Sequence, residues 1–218
     1  MLHIVIATRN SHKVRELTQL LRTPGIRWHS LTEFLNAPKI DEDGKTFEEN
    51  AVKKARAIAN ATGYFALADD SGIEVDALNG KPGIYSARFA GAHGNDRANN
   101  EKLLRLLDGL PPARRSARYV CSLALVAPRQ VVAVTCGIWT GRIAEAARGD
   151  RGFGYDPVFL VPRHRKTVAQ LPVETKQRLS HRAKAAQRMR LILSQLVKMG
   201  EISGPRRGDS AGSRLRRA

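Results

Sequence analysis

Cysteine is nearly missing from this 218-residue chain, which carries two thiols, Cys121 and Cys136. Two are too few for a disulfide scaffold, and neither has the CxxC or histidine context of a zinc or redox site. They lie in the apolar, β-branched runs RYVCSLALV and QVVAVTCGIW, joined by the turn-like APRQ. Paired as a hairpin, these runs put the two thiols roughly opposite each other, and reduced core thiols are the expected state in a cytosol. Aromatic residues are scarce as well, at 6%. With no RRM, KH or zinc pattern beside them, a nucleic-acid-binding module is the weaker reading of the chain. No apolar run is long enough to span a bilayer. The opening MLHIVIATRN lacks the basic start and small-residue cleavage site of a secretory signal. The expectation is a cytoplasmic protein with no membrane partner.

Acidic residues are outnumbered, 20 against 37 Lys and Arg, for a formal net charge of +17. Such an excess suits nucleic acid, an anionic surface or a polyanionic small substrate. Its distribution matters more than its total. The final GEISGPRRGDSAGSRLRRA has almost nothing to pack and reads as a disordered basic tail over 199–218. Weak, salt-sensitive nucleic-acid contact is the one role it suggests. The remaining charge is spread over RRSAR, RHRK and the helix-like KQRLSHRAKAAQRMRLILSQL, which read as solvated faces. With 42% hydrophobic and 26% charged residues the composition is ordinary for a globular protein, and one domain over 1–198 is expected.

The pattern is strand and helix in alternation. LHIVIAT is a short β-branched strand, followed by a helix through Val14, Leu17, Leu20 and Leu21, with Asn10 or Ser11 available as its cap. A strand, a polar turn and a helix start make an anion site, because free backbone N–H groups point out of the helix. A second helix begins at Thr46, with Glu49 at capping-box spacing and Gly63 as a stop. YFALAD then returns as a strand expected to end at Asp69 and Asp70. The glycine-rich LNGKPGIYSARFAGAHGND is a long irregular segment, and such segments are more often functional than not. A helix, the cysteine hairpin, a further strand and a basic helix complete an α/β fold with a mixed sheet.

Four polar loops carry groups suited to a phosphate, a metal or a planar ring. TRNSHK offers Thr8, Asn10 and Lys13 around a helix start, although a capped surface helix reads equally well from this stretch alone. IDEDG places Asp41, Glu42 and Asp43 before a helix. With Asp69 and Asp70 these acids make a Mg²⁺ site, a metal that takes one or two carboxylates and completes its shell with water and phosphate. The plainer readings are a helix start favouring acids and a solvated Asp-Ser-Gly turn. GFGYDP sets Phe153 and Tyr155 among glycines, either as rings that stack on a base or as core rings at a bulge. KQRLSHR contributes Lys176, His181 and Arg182, donors for a carbonyl oxygen or a phosphate.

In this order and at these separations, TRNSHKVREL, TFEENAVKKA, ADDSGIEVDALNGKPGIYSARFAG, GFGYDPVF and SHR resemble the Ham1/RdgB family of inosine triphosphate pyrophosphatases. The likeness covers roughly residues 2–197. It implies an elongated mixed sheet flanked by helices, in two lobes around a substrate cleft, and usually a homodimer. The implied reaction is Mg²⁺-dependent hydrolysis of ITP, dITP and XTP to the monophosphate and pyrophosphate. That activity cleanses the nucleotide pool of deaminated purines. Carried onto this chain, the resemblance gives the triphosphate to Thr8, Asn10 and Lys13, within a contact stretch that includes Arg9, Ser11 and His12. Arg9 stands where many members have Gly or Asn. Asp70 becomes proton acceptor and metal ligand, Glu42 its metal partner, with Asp41 as the alternative, and Ser71 a substrate contact. Phe153, Gly154, Tyr155 and Asp156 form the base loop, and Lys176, His181 and Arg182 are late contacts to base and phosphate. Lys13 and Lys176 are expected to neutralise the leaving pyrophosphate, and Asp69 to raise the proton affinity of Asp70 by like-charge repulsion. A Maf-like nucleotide pyrophosphatase is the nearest alternative enzyme, and the DDSG and GFGYDP motifs argue against it.

Overall fold

Strand–helix–strand alternation places the first strands side by side. The computed structural model describes residues 1–92 and 94–200. The tail expected over 199–218 therefore lies, from residue 201 on, outside the described residues. β1 (Leu2–Ile6) is followed by α1 (Ser11–Leu20), β2 (Ile26–Ser30), α2 (Phe47–Thr62) and β3 (Phe65–Val75). β1 pairs in parallel with both β2 and β3, with Leu2 opposite Ile26 and Ile4 opposite Phe65. Then come α3 (Asp96–Leu106), β4 (Ser116–Ala127), β5 (Gln130–Ile143), β6 (Phe159–Val161), β7 (Lys166–Thr167), α4 (Val173–Leu179) and α5 (His181–Met199). The strands form one seven-stranded sheet in the order β2-β1-β3-β4-β5-β6-β7, with β6 antiparallel to both β5 and β7. The mixed α/β sheet flanked by helices is thus present. No helix among the described residues is long and apolar enough to cross a membrane.

The chain divides into two compact units. Unit 1 holds residues 1–70, 122–136 and the chain from 185 on; unit 2 holds 71–121 and 137–184. Unit 1 has a core of small and β-branched side chains, among them Val5, Ala51, Ala55, Ile58, Ala66 and Val126. The core of unit 2 is larger-grained, with Leu103, Tyr119, Trp139, Tyr155 and Phe159.

Helix ends follow local chemistry. Asn10 caps α1, its side chain accepting from the N–H groups of His12 and Lys13. Thr46 caps α2 through the N–H of Glu49, and Gly63 closes it at φ 71° in the left-handed region.

Four expectations change. β3 does not stop at the acid pair but runs five residues past Asp70, because Ser71, Gly72 and Ile73 continue its extended backbone. The basic closing helix is two helices broken at Ser180, whose extended backbone (ψ 158°) ends α4 and whose Oγ accepts from the N–H of Ala183 in the first turn of α5. Cys121 is buried, but Cys136 is only half-buried; neither is in a disulfide. RRSAR and KQRLSHR are not wholly solvated, since Arg115 and Arg182 are among the buried side chains.

Candidate active site

In a strand, consecutive side chains point to opposite faces. Asp69 and Asp70, both buried in β3, therefore form ion pairs with different lysines. Lys13, one turn into α1, pairs with Asp69. Lys54 of α2 donates to Asp70 Oδ1 at 2.9 Å and to Glu42 Oε1 at 2.7 Å. Each member of the acid pair has its own lysine, and this is why the chain tolerates two adjacent buried carboxylates.

The motifs do not point to Lys54, yet its signal is in the sequence. The buried positions of α2 include Phe47, Asn50, Ala51, Lys54, Ala55, Ile58 and Ala59, a helical stripe on which one lysine interrupts the apolar residues. Asn50 serves the same region, its Oδ1 accepting from Gly44 N–H at 2.8 Å and so tying down the loop that carries Glu42. Asp43, by contrast, faces solvent and pairs with Lys53 at 2.5 Å, and that lysine holds its carboxyl below the usual range.

Lys54 sees two carboxylates. Burial alone would lower its pKa, but Asp70 and Glu42 reverse the effect and hold it above the ordinary lysine value. Asp70 shares its ammonium with Glu42. Burial raises the Asp70 carboxyl; Lys54 and Lys13 oppose the rise, and Glu42 adds to it. Asp69 is not among these causes, so the expected Asp69–Asp70 repulsion gives way to burial and Glu42. Asp70 Oδ2 is buried without a hydrogen-bond partner among the described residues. That oxygen suits a hard cation. No group of three or more His, Cys, Asp or Glu side chains is placed to hold a metal among the described residues. The donor set fits Mg²⁺, which is content with two carboxylates when water and phosphate complete its shell.

The turn before α1 differs from the expected anion site. Asn10 Oδ1 already takes the N–H groups of His12 and Lys13, at 3.0 and 3.1 Å. Thr8 Oγ1 accepts from Asn10 N–H at 3.2 Å, and Arg9 donates to Ala37 O at 3.2 Å. Two of the leading amides are thus committed to the cap, leaving the side chains of Thr8 and Lys13 as the groups suited to a phosphate. Ser11 and His12 are exposed.

Unit 2 assembles the later motifs. Asp156 is buried and accepts hydrogen bonds from Tyr119 Oη at 3.1 Å, Phe153 N–H at 3.0 Å and Lys176 Nζ at 2.7 Å. Burial first, and then Asp156, push the Tyr119 phenol well above its ordinary value, so it remains a donor. Lys176 also lies 4.5 Å from the centre of the Phe153 ring, with the Arg182 guanidinium at 5.8 Å from the same ring. Arg182 donates to Ser71 Oγ at 2.9 Å. His181 stacks on Tyr119 with centroids 4.6 Å apart. Phe153, Asp156, Lys176, His181, Arg182 and Ser71 thus form one network. Lys176, on α4, meets the ring-bearing loop at Asp156 and Phe153. Tyr155 does not present its ring: it is buried in the core of unit 2, with its hydroxyl donating to Ser86 O at 2.8 Å.

Gly152 is required by this network. Its φ is +80°, and a Cβ there would stand 2.0 Å from Asp156 Oδ2, an oxygen fixed by two donors. Gly154, at φ +63°, has open space where a Cβ would go. Gly152→Ala is expected to cost about 2–3 kcal/mol of stability, from backbone strain plus the clash. Gly154→Ala is expected to cost about 1 kcal/mol, from strain alone. Denaturant titration of both variants checks the difference; equal losses would mean that the Asp156 carboxylate yields freely.

In unit 1 the lysine–carboxylate cluster has chemistry suited to a cation and phosphate; in unit 2 the ring-bearing loop with Lys176, His181 and Arg182 has chemistry suited to a planar polar ring. A family model described as the Ham1 family matches residues 4–192. A dITP/XTP pyrophosphatase of Desulforamulus reducens is 48% identical over 199 residues, covering 91% of this chain and 99% of that protein. One of Geobacillus kaustophilus is 51% identical over 185 residues, covering 85% and 91%. Among solved structures, a HAM1 protein from Coxiella burnetii is similar, with a TM-score of 0.83 and 43% identity over 89% of this chain and all of that one (100%). The chain belongs to the Ham1 family.

Proposed function

We propose that this protein is a nucleoside triphosphate pyrophosphatase acting on purines with a six-oxo group, dITP, ITP and XTP, and releasing the monophosphate and pyrophosphate. Relatives bearing the name dITP/XTP pyrophosphatase, alike over nearly the whole chain, support the reaction class. The observation that carries the reading is Asp70 Oδ2, a buried carboxylate oxygen with no hydrogen-bond partner among the described residues, beside the Lys54 ammonium that joins Asp70 to Glu42. A triphosphate arriving with its cation gives that oxygen a partner.

Lys13 and Thr8 bind the phosphates, and Lys54 offers its ammonium to the charge that grows on the departing pyrophosphate. Glu42 and Asp70 would hold Mg²⁺, which would neutralise charge on the phosphate oxygens. Asp70 takes a proton from the attacking water. The water oxygen bonds to the α-phosphorus, and the bond from that phosphorus to the bridging oxygen breaks, leaving pyrophosphate. A raised Asp70 proton affinity suits a group that must accept this proton.

Base choice falls to the unit 2 network. Hypoxanthine and xanthine carry an acceptor at position six where adenine carries an amino donor. Donors from His181 and Arg182 pair with the former and are left mismatched by the latter, and mismatched buried polar groups discriminate strongly. Phe153, steadied by Lys176 and Arg182, supplies the stacking face. The family reading also carries a homodimer, for which sedimentation is the measurement.

Pyrophosphate release from dITP, XTP, dATP and dGTP with Mg²⁺ tests the proposal. The expected result is rapid release from dITP and XTP, with dATP slower by about 10²-fold or more; dGTP shares the six-oxo group, so its rate reports whether the two-amino group is obstructed. Equal rates on all four would remove the assigned selectivity, and no release from any would remove the activity.

A further inference from the structure

The ring-bearing loop poses a mechanical problem. Gly152 and Gly154 both have positive φ, 80° and 63°, and glycine visits many other conformations at little cost. Asp156 fixes one end of this loop through Phe153 N–H and Lys176. Something else must fix its middle.

That restraint comes from α3, a helix that none of the sequence motifs singles out. Asp96 Oδ2 accepts from Gly154 N–H at 2.6 Å, and Asn100 Nδ2 donates to Gly154 O at 2.9 Å. One residue's backbone donor and acceptor are thus both held by side chains one helical turn apart. The buried Asn100 shows which bond decides its orientation. Its Oδ1 has no partner among the described residues, and reversing the amide would turn that oxygen onto the Gly154 carbonyl. Asp96 is also a favourable first-turn acid on α3, so its charge and its hydrogen bond are separable roles. The next turn of the helix grips the other glycine-rich segment. Asn99 Oδ1 accepts from Ala90 N–H at 2.7 Å, and Lys102 Nζ donates to Phe89 O at 2.6 Å. The Tyr155 hydroxyl joins the two segments at Ser86 O.

We propose that Asp96 and Asn100 are positioning residues for base selection, clamping the Gly154 peptide from both sides and so holding Phe153 and Asp156 where the purine is read. This rests on the reading of residues 152–156 as the base loop. Neither residue touches the reacting atoms; both act on the affinity and choice of base.

The test compares Asp96→Ala, Asp96→Asn and Asn100→Ala with the wild type in two readouts: hydrogen exchange at the Gly154 amide, and kcat and KM for dITP and dATP. Asp96→Ala is expected to speed Gly154 exchange at least about tenfold and to raise KM for dITP by about tenfold. Its kcat at saturation should change by less than about threefold, while preference for dITP over dATP falls. Asp96→Asn keeps an acceptor oxygen without the charge and is expected to restore both exchange and KM, which a helix-dipole role would not do. Asn100→Ala, which leaves the helix start alone, should share the KM and preference changes. Unchanged exchange in Asp96→Ala overturns the clamp. Faster exchange with wild-type KM and preference overturns its role in selection. A wild type that hydrolyses none of the nucleotides overturns the functional reading and the selection role with it, while the exchange arm still reports the clamp.

Discussion

Asp70→Asn is expected to slow pyrophosphate release from dITP by about 10³-fold or more while nucleotide still binds. The substitution keeps the side chain's shape and one acceptor oxygen. It removes the negative charge that meets Lys54 at 2.9 Å and the buried oxygen that has no partner among the described residues. The stability of the metal-free protein gives an independent signature. Because burial raises the Asp70 carboxyl in the folded chain, its contribution to stability is fully present below its unfolded value, about 3.9. It is lost as pH rises through the higher folded value. The Asn variant does not titrate. The variant's stability relative to wild type should therefore increase between about pH 4 and neutrality, and Mg²⁺ should then stabilise the wild type and not the variant. Thermal melts with and without Mg²⁺ at several pH values, with a binding assay for dITP, measure all three effects. Turnover near the wild-type rate would strip Asp70 of its assigned role. A stability difference independent of pH would show that burial does not disfavour its ionised form.

Elements with strong local chemistry are legible in the amino-acid sequence itself. Asn10, Thr46 and Gly63 act as helix boundary residues because capping is decided within a few residues of the chain. The family motifs likewise single out Asp70 and Glu42, which meet at Lys54, and Phe153, Asp156, Lys176, His181 and Arg182, which lie in one network. What the sequence hides depends on partners distant along the chain. Extension of β3 past its two aspartates needs a lysine for each of them, supplied from α1 and α2. Lys54 looks like one of many helix lysines, although its place on the apolar stripe marks it as buried. The break at Ser180 lies in a capping serine inside a run that otherwise reads as helix. Tyr155 and Phe153 are nearly adjacent and similar in character, yet one enters the core and the other faces two cations. No pattern of period two or 3.6 separates them in a loop of left-handed glycines.

Arg115 shows how far a basic residue can depart from its compositional reading, and its replacement should cause the largest loss of stability. Its side chain is 3% exposed, and its hydrogen bonds go to backbone carbonyls. Nε donates to Ile143 O at 2.9 Å, Nη1 to Leu107 O at 2.8 Å, and Nη2 to Ala144 O at 2.9 Å. A longer contact of 3.5 Å reaches Leu110 O. One guanidinium thus ties the end of β5 to the segment that leaves α3, and these carbonyls disperse its charge. Arg115→Met fills much of the space but abandons the carbonyls to an apolar interior. Bonds to a charged donor contribute about 1.5–3 kcal/mol each before losses overlap, so a cost of about 3–5 kcal/mol is expected. For a chain of this length that lowers the melting temperature by roughly 10 °C. Arg115→Lys should recover less than half of the loss, because an ammonium cannot span carbonyls set apart by a planar fork. Denaturant titrations of the two variants decide the matter. A cost below about 1 kcal/mol for Arg115→Met would mean that water reaches these carbonyls and that the arginine is dispensable. Full recovery by lysine would mean that the buried charge matters and the fork does not.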